Sequence, residues 1–132
     1  KEIKTISANK NINFLGKMSN MKSIYLKSDI VILPSWREGL SKSLIEAASM
    51  SLPIITTNVP GCKEIIENNK SGILIPLKNK LLLKKAIIKL IQNPELAIKY
   101  GLRARERVKD KFELSLINNN ILEIYKKILT NS

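Results

Sequence analysis

The sequence contains no histidine and a single cysteine, Cys62. Histidine is the side chain whose unperturbed pKa lies near neutral pH, so its absence excludes an imidazole general base. One cysteine excludes a disulfide within the chain and is typical of a reducing compartment. Because Cys, His and carboxylate residues do not recur at the spacing of metal ligands, we also expect no metal site.

Aromatic residues and long apolar runs are also scarce. Phe, Trp and Tyr make up 5% of the chain and hydrophobic residues as a whole 44%, so the core must be aliphatic, mainly Ile and Leu. No run reaches the ~18–20 apolar residues of a membrane-spanning helix, and residues 1–4 do not begin an apolar signal-peptide region. These features predict one globular domain over residues 1–132 with a cytoplasmic location.

Acidic residues are fewer than half as common as basic ones, since 11 Asp and Glu stand against 23 Lys and Arg, a net charge of +12. A positive surface attracts nucleic acid, anionic lipid or an anionic substrate, and a Lys-, Asn- and Ile-rich proteome gives the same composition without such a partner. The basic run at residues 103–111 lacks aromatics that stack on bases. It indicates a solvated helix face, and we expect no nucleic-acid partner. The lysines of residues 80–92 suggest peripheral contact with anionic lipid on the inner face of the membrane.

Apolar runs of strand length alternate with segments of helical periodicity along the chain. This alternation predicts an α/β fold with a parallel sheet and right-handed crossovers. The run at residues 30–33 is continuous, as in a strand that is buried on both faces. The predicted strands are residues 12–16, 30–33, 53–57 and 73–75, and the predicted helices lie within residues 17–27, 41–50, 61–67, 80–92, 94–111 and 114–129.

Residues 34–48 bring polar groups to the carboxyl end of a predicted strand, where open α/β sheets place their ligands. A helix beginning near Ser41 leaves its first amides without an intrahelical partner, and such amides favour a phosphate. Gly39 has no Cβ and lets a ligand approach the backbone. Glu38 precedes the helix, and Glu46 lies about five residues into it, ~7.5 Å along its axis. Ionised carboxylates accept hydrogen bonds from hydroxyls, so the pattern indicates a nucleotide sugar.

Four blocks of the sequence, in order and at matching spacing, resemble the retaining GT-B-fold glycosyltransferases of the group 1, family 4 type. The central block holds Glu38-x7-Glu46 within Pro-Ser-x-x-Glu-Gly-(x)6-Glu-Ala. The other blocks are Ile12-Asn-Phe-Leu-Gly16, Pro53-Ile-Ile-Thr-Thr-x-Val-Pro-Gly61 and Ser71-Gly-Ile-Leu-Ile-Pro76. The resemblance implies a Rossmann-like three-layer parallel sheet with flanking helices, the C-terminal half-domain of a GT-B fold, truncated at its N-terminus.

The resemblance also implies roles for individual residues. Glu38 is the catalytic candidate and lies, in the family, against the hydroxyls of the donor sugar, whereas Glu46 accepts hydrogen bonds from the ribose. The amides around Leu40 meet the diphosphate and the sugar, although many members carry Phe-Gly where this chain has Leu40-Ser41. Gly16 belongs to the loop beside the nucleobase but also suits a turn that only closes a strand. The implied donor-binding residues are Glu38, Gly39, Leu40, Ser41, Lys42, Glu46, Gly16, Lys17 and Thr57.

The function that the resemblance implies is donor binding in a retaining glycosyltransferase. The enzyme would transfer a hexose or N-acetylhexosamine from a nucleoside diphosphate sugar, foremost a UDP-sugar, to a glycan or polyprenol-linked acceptor. The amino-acid sequence of these blocks is similar to that of family members that build bacterial capsule, lipopolysaccharide or lipid-linked glycans. No cofactor is expected besides the donor substrate. The family's acceptor domain and a basic pair for the diphosphate precede the block at Ile12, so we expect the chain alone to be inactive.

Two other functions fit parts of the pattern. A nucleotide-sugar epimerase has a similar two-domain fold and would form a new epimer rather than a new linkage. A non-enzymatic basic module for membranes or nucleic acid would need only the positive charge, and its binding would not change in Glu46→Ala. Two carboxylates also act as acid and base in glycosidases, but the residues that flank Glu38 and Glu46 do not support that arrangement.

Overall fold

The computed structural model describes residues 11–113, which contain three strands and five helices. Every strand and helix predicted between residues 17 and 111 has a counterpart with ends shifted by a few residues. The predicted helix at residues 114–129 lies outside the described residues. In chain order the elements are α1 (Met21–Tyr25), β1 (Val31–Leu33), α2 (Lys42–Ser49), β2 (Ile54–Thr57), α3 (Pro60–Ile65), β3 (Ile73–Ile75), α4 (Lys80–Gln92) and α5 (Pro94–Phe112).

The three strands form a parallel sheet in the order β1-β2-β3. Val31 lies opposite Ile54, and Ile55 lies opposite Ile73. β2 is the central strand and all of its residues are buried, which suits its β-branched sequence Ile-Ile-Thr-Thr. Because parallel strands need a crossover, α2 returns the chain from β1 to β2, and α3 returns it from β2 to β3. The predicted α/β fold with a parallel sheet is confirmed.

Successive side chains of β2 point to opposite faces of the sheet and enter two cores. On one face Ile54 packs with buried residues of α2, α3 and α5, among them Leu44 and Ala104. On the other face Ile55 packs with Leu90 of α4. Helices therefore cover both faces of the sheet, and the predicted three-layer, Rossmann-like arrangement is confirmed.

Two strand predictions are wrong. Residues 12–16, predicted as a strand, form none in the structure and are exposed. β1, predicted as buried on both faces, is an edge strand of the described sheet, and Ile32 on it is exposed. An apolar run is buried only where the fold supplies neighbours. Within residues 11–113 no strand pairs with the free edge of β1, so neither segment finds the partner that its sequence indicates.

Helix boundaries follow the capping signals of the sequence. The side chain of Asn79 accepts a hydrogen bond from a first-turn amide of α4 over 2.9 Å, and Pro94 occupies the first turn of α5, where its missing N–H is not needed. The helix predicted at residues 80–92 is confirmed. Ile91 is 63% exposed although its neighbour Leu90 is buried, so the buried stripe of α4 ends at Leu90.

The basic run on α5 divides into two sets. Arg107 packs against α3, with its Nη1 3.5 Å from Glu67 Oε2 and its Nη2 donating a hydrogen bond to the carbonyl oxygen of Glu64 over 3.2 Å. Arg107 therefore joins α5 to the end of α3. The other members of the run are exposed and confirm the predicted solvated face; they are Arg103, Arg105, Lys109 and Lys111.

We expect Gly101→Ala to destabilise the fold by about 2 kcal/mol, a cost typical of overpacking. Gly101 packs against the turn between α2 and β2, and a Cβ there would overlap the carbonyl oxygen of Ser51, so the helix and the turn must move apart. Urea unfolding followed by circular dichroism measures the change. Leu102→Ala, at the neighbouring exposed position, is the matched control with little expected loss. Equal loss in both variants would contradict this packing.

Candidate functional site

Two threonine hydroxyls at the end of β2 hold the last residue of β1 and the loop that follows it. Thr56 Oγ1 donates a hydrogen bond to the carbonyl oxygen of Leu33 over 2.8 Å, and Thr57 Oγ1 donates to the carbonyl oxygen of Ser35. Both threonines are buried, where the loss of a partner leaves a costly unsatisfied polar atom. Thr57 therefore positions the loop, and its predicted contact with a donor stays a prediction.

Glu38 lies in this loop, and a neighbour orients its carboxylate. Ser35 Oγ donates a hydrogen bond to Glu38 Oε1 over 2.9 Å. Behind the turn, Gly61 of α3 packs directly on the backbone: a Cβ on Gly61 would overlap the carbonyl oxygen of Gly39 and lie 2.6 Å from that of Glu38. Glycine permits this approach because it has no Cβ. The Val-Pro-Gly block thus shapes the turn that carries Glu38.

Helix α2 begins directly after this turn. Ser41 is its N-cap, and its Oγ accepts a hydrogen bond from the backbone amide of Leu44 over 3.4 Å, which confirms the predicted helix start. The amides of Lys42 and Ser43, which lie in the first turn, have no intrahelical acceptor. Two N–H groups are therefore available for an anion at this end of the helix.

Glu46 lies on the second turn of α2, between the interior and the solvent. Its Oε2 is 3.5 Å from the hydroxyl of Tyr25 in α1, which also donates a hydrogen bond to the carbonyl oxygen of Ser43 over 3.2 Å. Its Oε1 is 3.7 Å from Lys42 Nζ. The side chain remains 38% exposed. The carboxylate is thus held from two sides and still open to a ligand.

Tyr25 is the residue of this site that the sequence analysis missed. Burial raises the pKa of its hydroxyl, and the charge of Glu46 raises it further. The hydroxyl therefore keeps its proton, which it can share with Glu46. The helical pattern around Tyr25 indicated only that its ring is buried. A partner 21 residues further along the chain leaves no local signal in the sequence.

An open pocket of about 650 Å³ lies beside Glu46. It is formed by α1 with the segment before it on one side and by α2 on the other. The structure brings two predicted site residues, Lys42 and Glu46, together with Tyr25 in its wall. Residues 18–20, which directly follow the predicted Gly16 and Lys17, line it as well. The size and mixed polar lining are those of a small-molecule site.

The remaining predicted residues do not line this pocket. Gly16 has a φ of +65°, a left-handed conformation that suits glycine, and Lys17 beside it is exposed. Leu40 is also exposed, and Glu38 and Gly39 form the turn before α2. In the described part of the chain no three His, Cys, Asp or Glu residues are placed to hold a metal ion together.

Comparison with known proteins agrees with this geometry. The sequence profile of the family "Glycosyl transferases group 1" matches residues 1–107. The chain belongs to this family, and the resemblance found in the sequence is thereby confirmed. Its parallel sheet with helices on both faces has the Rossmann-like arrangement found in GT-B glycosyltransferases.

Three relatives show the extent of the similarity. The capsular polysaccharide biosynthesis glycosyltransferase CapM of Staphylococcus aureus is 28% identical over 127 residues, covering 96% of this chain and 33% of CapM. The N,N'-diacetylbacillosaminyl-diphospho-undecaprenol α-1,3-N-acetylgalactosaminyltransferase of Campylobacter jejuni is 26% identical over 120 residues, covering 91% of this chain and 32% of that enzyme. S. aureus TarM, solved with fondaparinux, α-GlcNAc-glycerol and UDP, is 27% identical with a TM-score of 0.83 over 94% of this chain and 25% of TarM. The chain spans about a third of the length of the curated relatives.

We expect the thiol of Cys62 to react slowly with DTNB at mildly alkaline pH while the protein is folded. Cys62 is buried in α3 next to Gly61, and burial raises the pKa of its thiol, which reduces the reactive thiolate. Because Cys62 is the sole cysteine, the release of thionitrobenzoate reports on this position alone. Unfolding in urea should restore the rate of a free thiol.

Gly61→Ala should speed this reaction about tenfold, because the added Cβ forces α3 away from the Glu38 turn and opens the thiol to solvent. Gly39→Ala is the matched control, since a Cβ there meets nothing within 4 Å, and its thiol should stay protected. Equal rates in the two variants would show that contact with Gly61 does not shape the turn.

Proposed function

We propose that this chain supplies the donor site of a retaining glycosyltransferase that uses a UDP-sugar. The transferred group is a hexose or N-acetylhexosamine, and the acceptor is a glycan or polyprenol-linked glycan of a bacterial surface polysaccharide. The family match supports the activity. The names of CapM and the undecaprenol-dependent C. jejuni enzyme support the acceptor class, and the UDP complex of TarM supports the nucleotide.

The observation that carries the proposal is the pocket that places the Glu46 carboxylate beside the free amides of α2. A diphosphate oxygen at the helix start accepts hydrogen bonds from the amides of Lys42 and Ser43. The ribose hydroxyls then donate to Glu46, whose Oε2 lies 3.5 Å from the hydroxyl of Tyr25 in the same pocket wall. A ligand with hydroxyls at one end and a diphosphate at the other matches this order of donors and acceptors.

Transfer breaks the bond between the anomeric carbon and the diphosphate oxygen. An acceptor hydroxyl oxygen takes its place on the same face of the sugar, and the hydroxyl proton passes to the departing diphosphate. Negative charge grows on the diphosphate during this step, so the amides at the start of α2 stabilise the transition state. Glu38, oriented by Ser35, accepts hydrogen bonds from the sugar hydroxyls and holds the ring in place.

We expect Glu46→Ala to weaken UDP binding about tenfold to a hundredfold, the loss expected when hydrogen bonds to a charged acceptor are removed. Isothermal titration calorimetry of the protein with UDP and with UDP-sugars measures the change. Glu106→Ala, which removes an exposed carboxylate of α5, is the matched control and should bind like the wild type. Equal affinity in the wild type and Glu46→Ala would remove the ribose role of Glu46 and with it the proposed donor site.

We also propose that α4 makes peripheral contact with anionic lipid on the cytoplasmic face of the membrane. Its exposed surface carries Leu81, Ile88 and Ile91, with Lys84 and Lys85 on the intervening turn. The helix contains no acidic residue. Such a surface buries apolar side chains at the level of the head groups while its lysines attract lipid phosphate. Among the helices of residues 11–113, none has the length and apolarity needed to cross a bilayer.

We expect the triple variant of Lys84, Lys85 and Lys89 to glutamine to bind anionic vesicles about a hundredfold more weakly, since each lysine near such a surface contributes about 1 kcal/mol. Co-sedimentation with phosphatidylcholine vesicles, with and without phosphatidylserine, measures the affinity. The control changes the same number of charges on the solvated face of α5, at Arg103, Arg105 and Lys109. An equal loss in both triple variants would show that net charge, rather than α4, governs the attraction.

A further inference from the structure

A second pocket, of about 490 Å³, lies at the carboxyl edge of the sheet. It opens where β1, β2 and β3 end, at Pro34, Thr57 and Ile75, and it is closed by the loop that leads into α4. It shares no lining residue with the pocket beside Glu46. Of the residues predicted to bind the donor it includes only Thr57, whose hydroxyl already donates to the carbonyl oxygen of Ser35. The proposed donor pocket therefore does not account for it.

An exposed indole forms one wall of this pocket. Trp36 is 66% exposed although it is the bulkiest side chain of the loop after β1. It lies two residues before Glu38, on the loop that the β2 threonines hold in place. The electron-rich face of an indole attracts the polarised C–H groups on the face of a pyranose ring, as it attracts the positive edges of other rings. An indole at this position is a platform for a sugar.

Positive charge without a counterion lies over that indole. Lys78 Nζ is 4.4 Å from the centre of the Trp36 ring, and no carboxylate within residues 11–113 pairs with it. Lys80 also lines the pocket, and none of the lining residues is acidic. Lys78 has a φ of +59°, a backbone conformation that is costly for a lysine. The ammonium of Lys78 is held on the face of Trp36 despite this backbone cost, and it is available to an anionic ligand.

We propose that this pocket binds an acidic sugar residue of the acceptor. The sugar ring stacks on Trp36 in the place that the Lys78 ammonium occupies without ligand, and the ammonium moves to pair with the carboxylate of the sugar. The cation–π contact with Trp36 holds Lys78 until that exchange. The assignment to the acceptor rests on the proposed function, because the Trp36 loop continues into Glu38, where the donor sugar would present its anomeric carbon.

Trp36 is also the probe for the test, since it is the sole tryptophan of the 132-residue chain. We expect methyl glucuronide to change its fluorescence in a saturable manner. Methyl glucoside, which has the ring without the carboxylate, should bind about fivefold more weakly, the factor expected for one exposed ion pair. Acetate, which has the carboxylate without the ring, should produce no saturable change. Equal responses to the glucuronide and the glucoside, or no response to either, would overturn the proposal.

The variant Lys78→Gly removes the proposed ion pair without destabilising the fold. Glycine suits the positive φ at this position, so the variant should be at least as stable as the wild type, and we expect it to lose the preference for glucuronide over glucoside. Lys109→Ala removes an exposed lysine of α5 outside the pocket and should keep that preference. Loss of the preference in Lys109→Ala, or its retention in Lys78→Gly, would contradict a pairing role of Lys78.

Competition identifies which substrate carries the acidic sugar. If it belongs to the acceptor, saturating UDP-glucuronate leaves the Trp36 response to methyl glucuronide unchanged. If UDP-glucuronate abolishes the response while UDP does not, the sugar belongs to the donor and the acceptor assignment is wrong. Calorimetry with UDP on the wild type and Glu46→Ala tests the proposed function separately. Failure of UDP binding with an intact glucuronide response would refute the donor site and the acceptor assignment, but not acidic-sugar binding.

Discussion

Two buried hydroxyl groups at the end of the central strand determine the shape of the whole carboxyl edge of this sheet. Thr56 donates its proton to the carbonyl oxygen of Leu33, the last residue of β1, and Thr57 donates to that of Ser35 in the loop that follows. Because both threonines are buried, breaking either bond would leave a costly unsatisfied hydroxyl, which favours this path of the loop. That path sets the start of α2, and the start of α2 sets where Glu46 and the free amides lie. Hydrogen bonds within the protein thus position the turn that carries Glu38 and the helix that carries Glu46.

Much of this fold could be predicted from local sequence, because its elements are fixed by local chemistry. The run Ile-Ile-Thr-Thr of β2, the Asn79 cap of α4 and the proline that opens α5 each act within a few residues. The failures involve partners that are distant in the chain. Residues 12–16 and Ile32 are apolar but lack the neighbours that burial needs. In the site, the Glu-x7-Glu spacing indicated Glu46, which lines the pocket that we propose for the donor. The contact of Tyr25 with Glu46 depends on how α1 packs and has no counterpart in the spacing.

A single loop leads from the pocket at the carboxyl edge of the sheet towards the pocket beside Glu46. Trp36 lies in the wall of one, and Glu38 follows it on the way to the helix whose side chains line the other. Each pocket contains a lysine that makes a weak contact which a ligand could replace. Lys42 pairs with Glu46, and the ammonium of Lys78 lies over the ring of Trp36. The net charge of +12 is therefore not only a surface property. Part of this positive charge, on Lys42 and Lys78, lies in the two pockets that we propose for negatively charged substrates.

Helix α3 is held at both of its ends. At its start Gly61 touches the backbone of the Glu38 turn, and at its end Arg107 of α5 takes hold of Glu64 and Glu67. A displacement of α5 would therefore reach the turn through a helix of six residues. Selection for tighter or looser grip on a substrate can in this way act on side chains of α5 that no substrate reaches, and such substitutions would change affinity while leaving every binding residue in place.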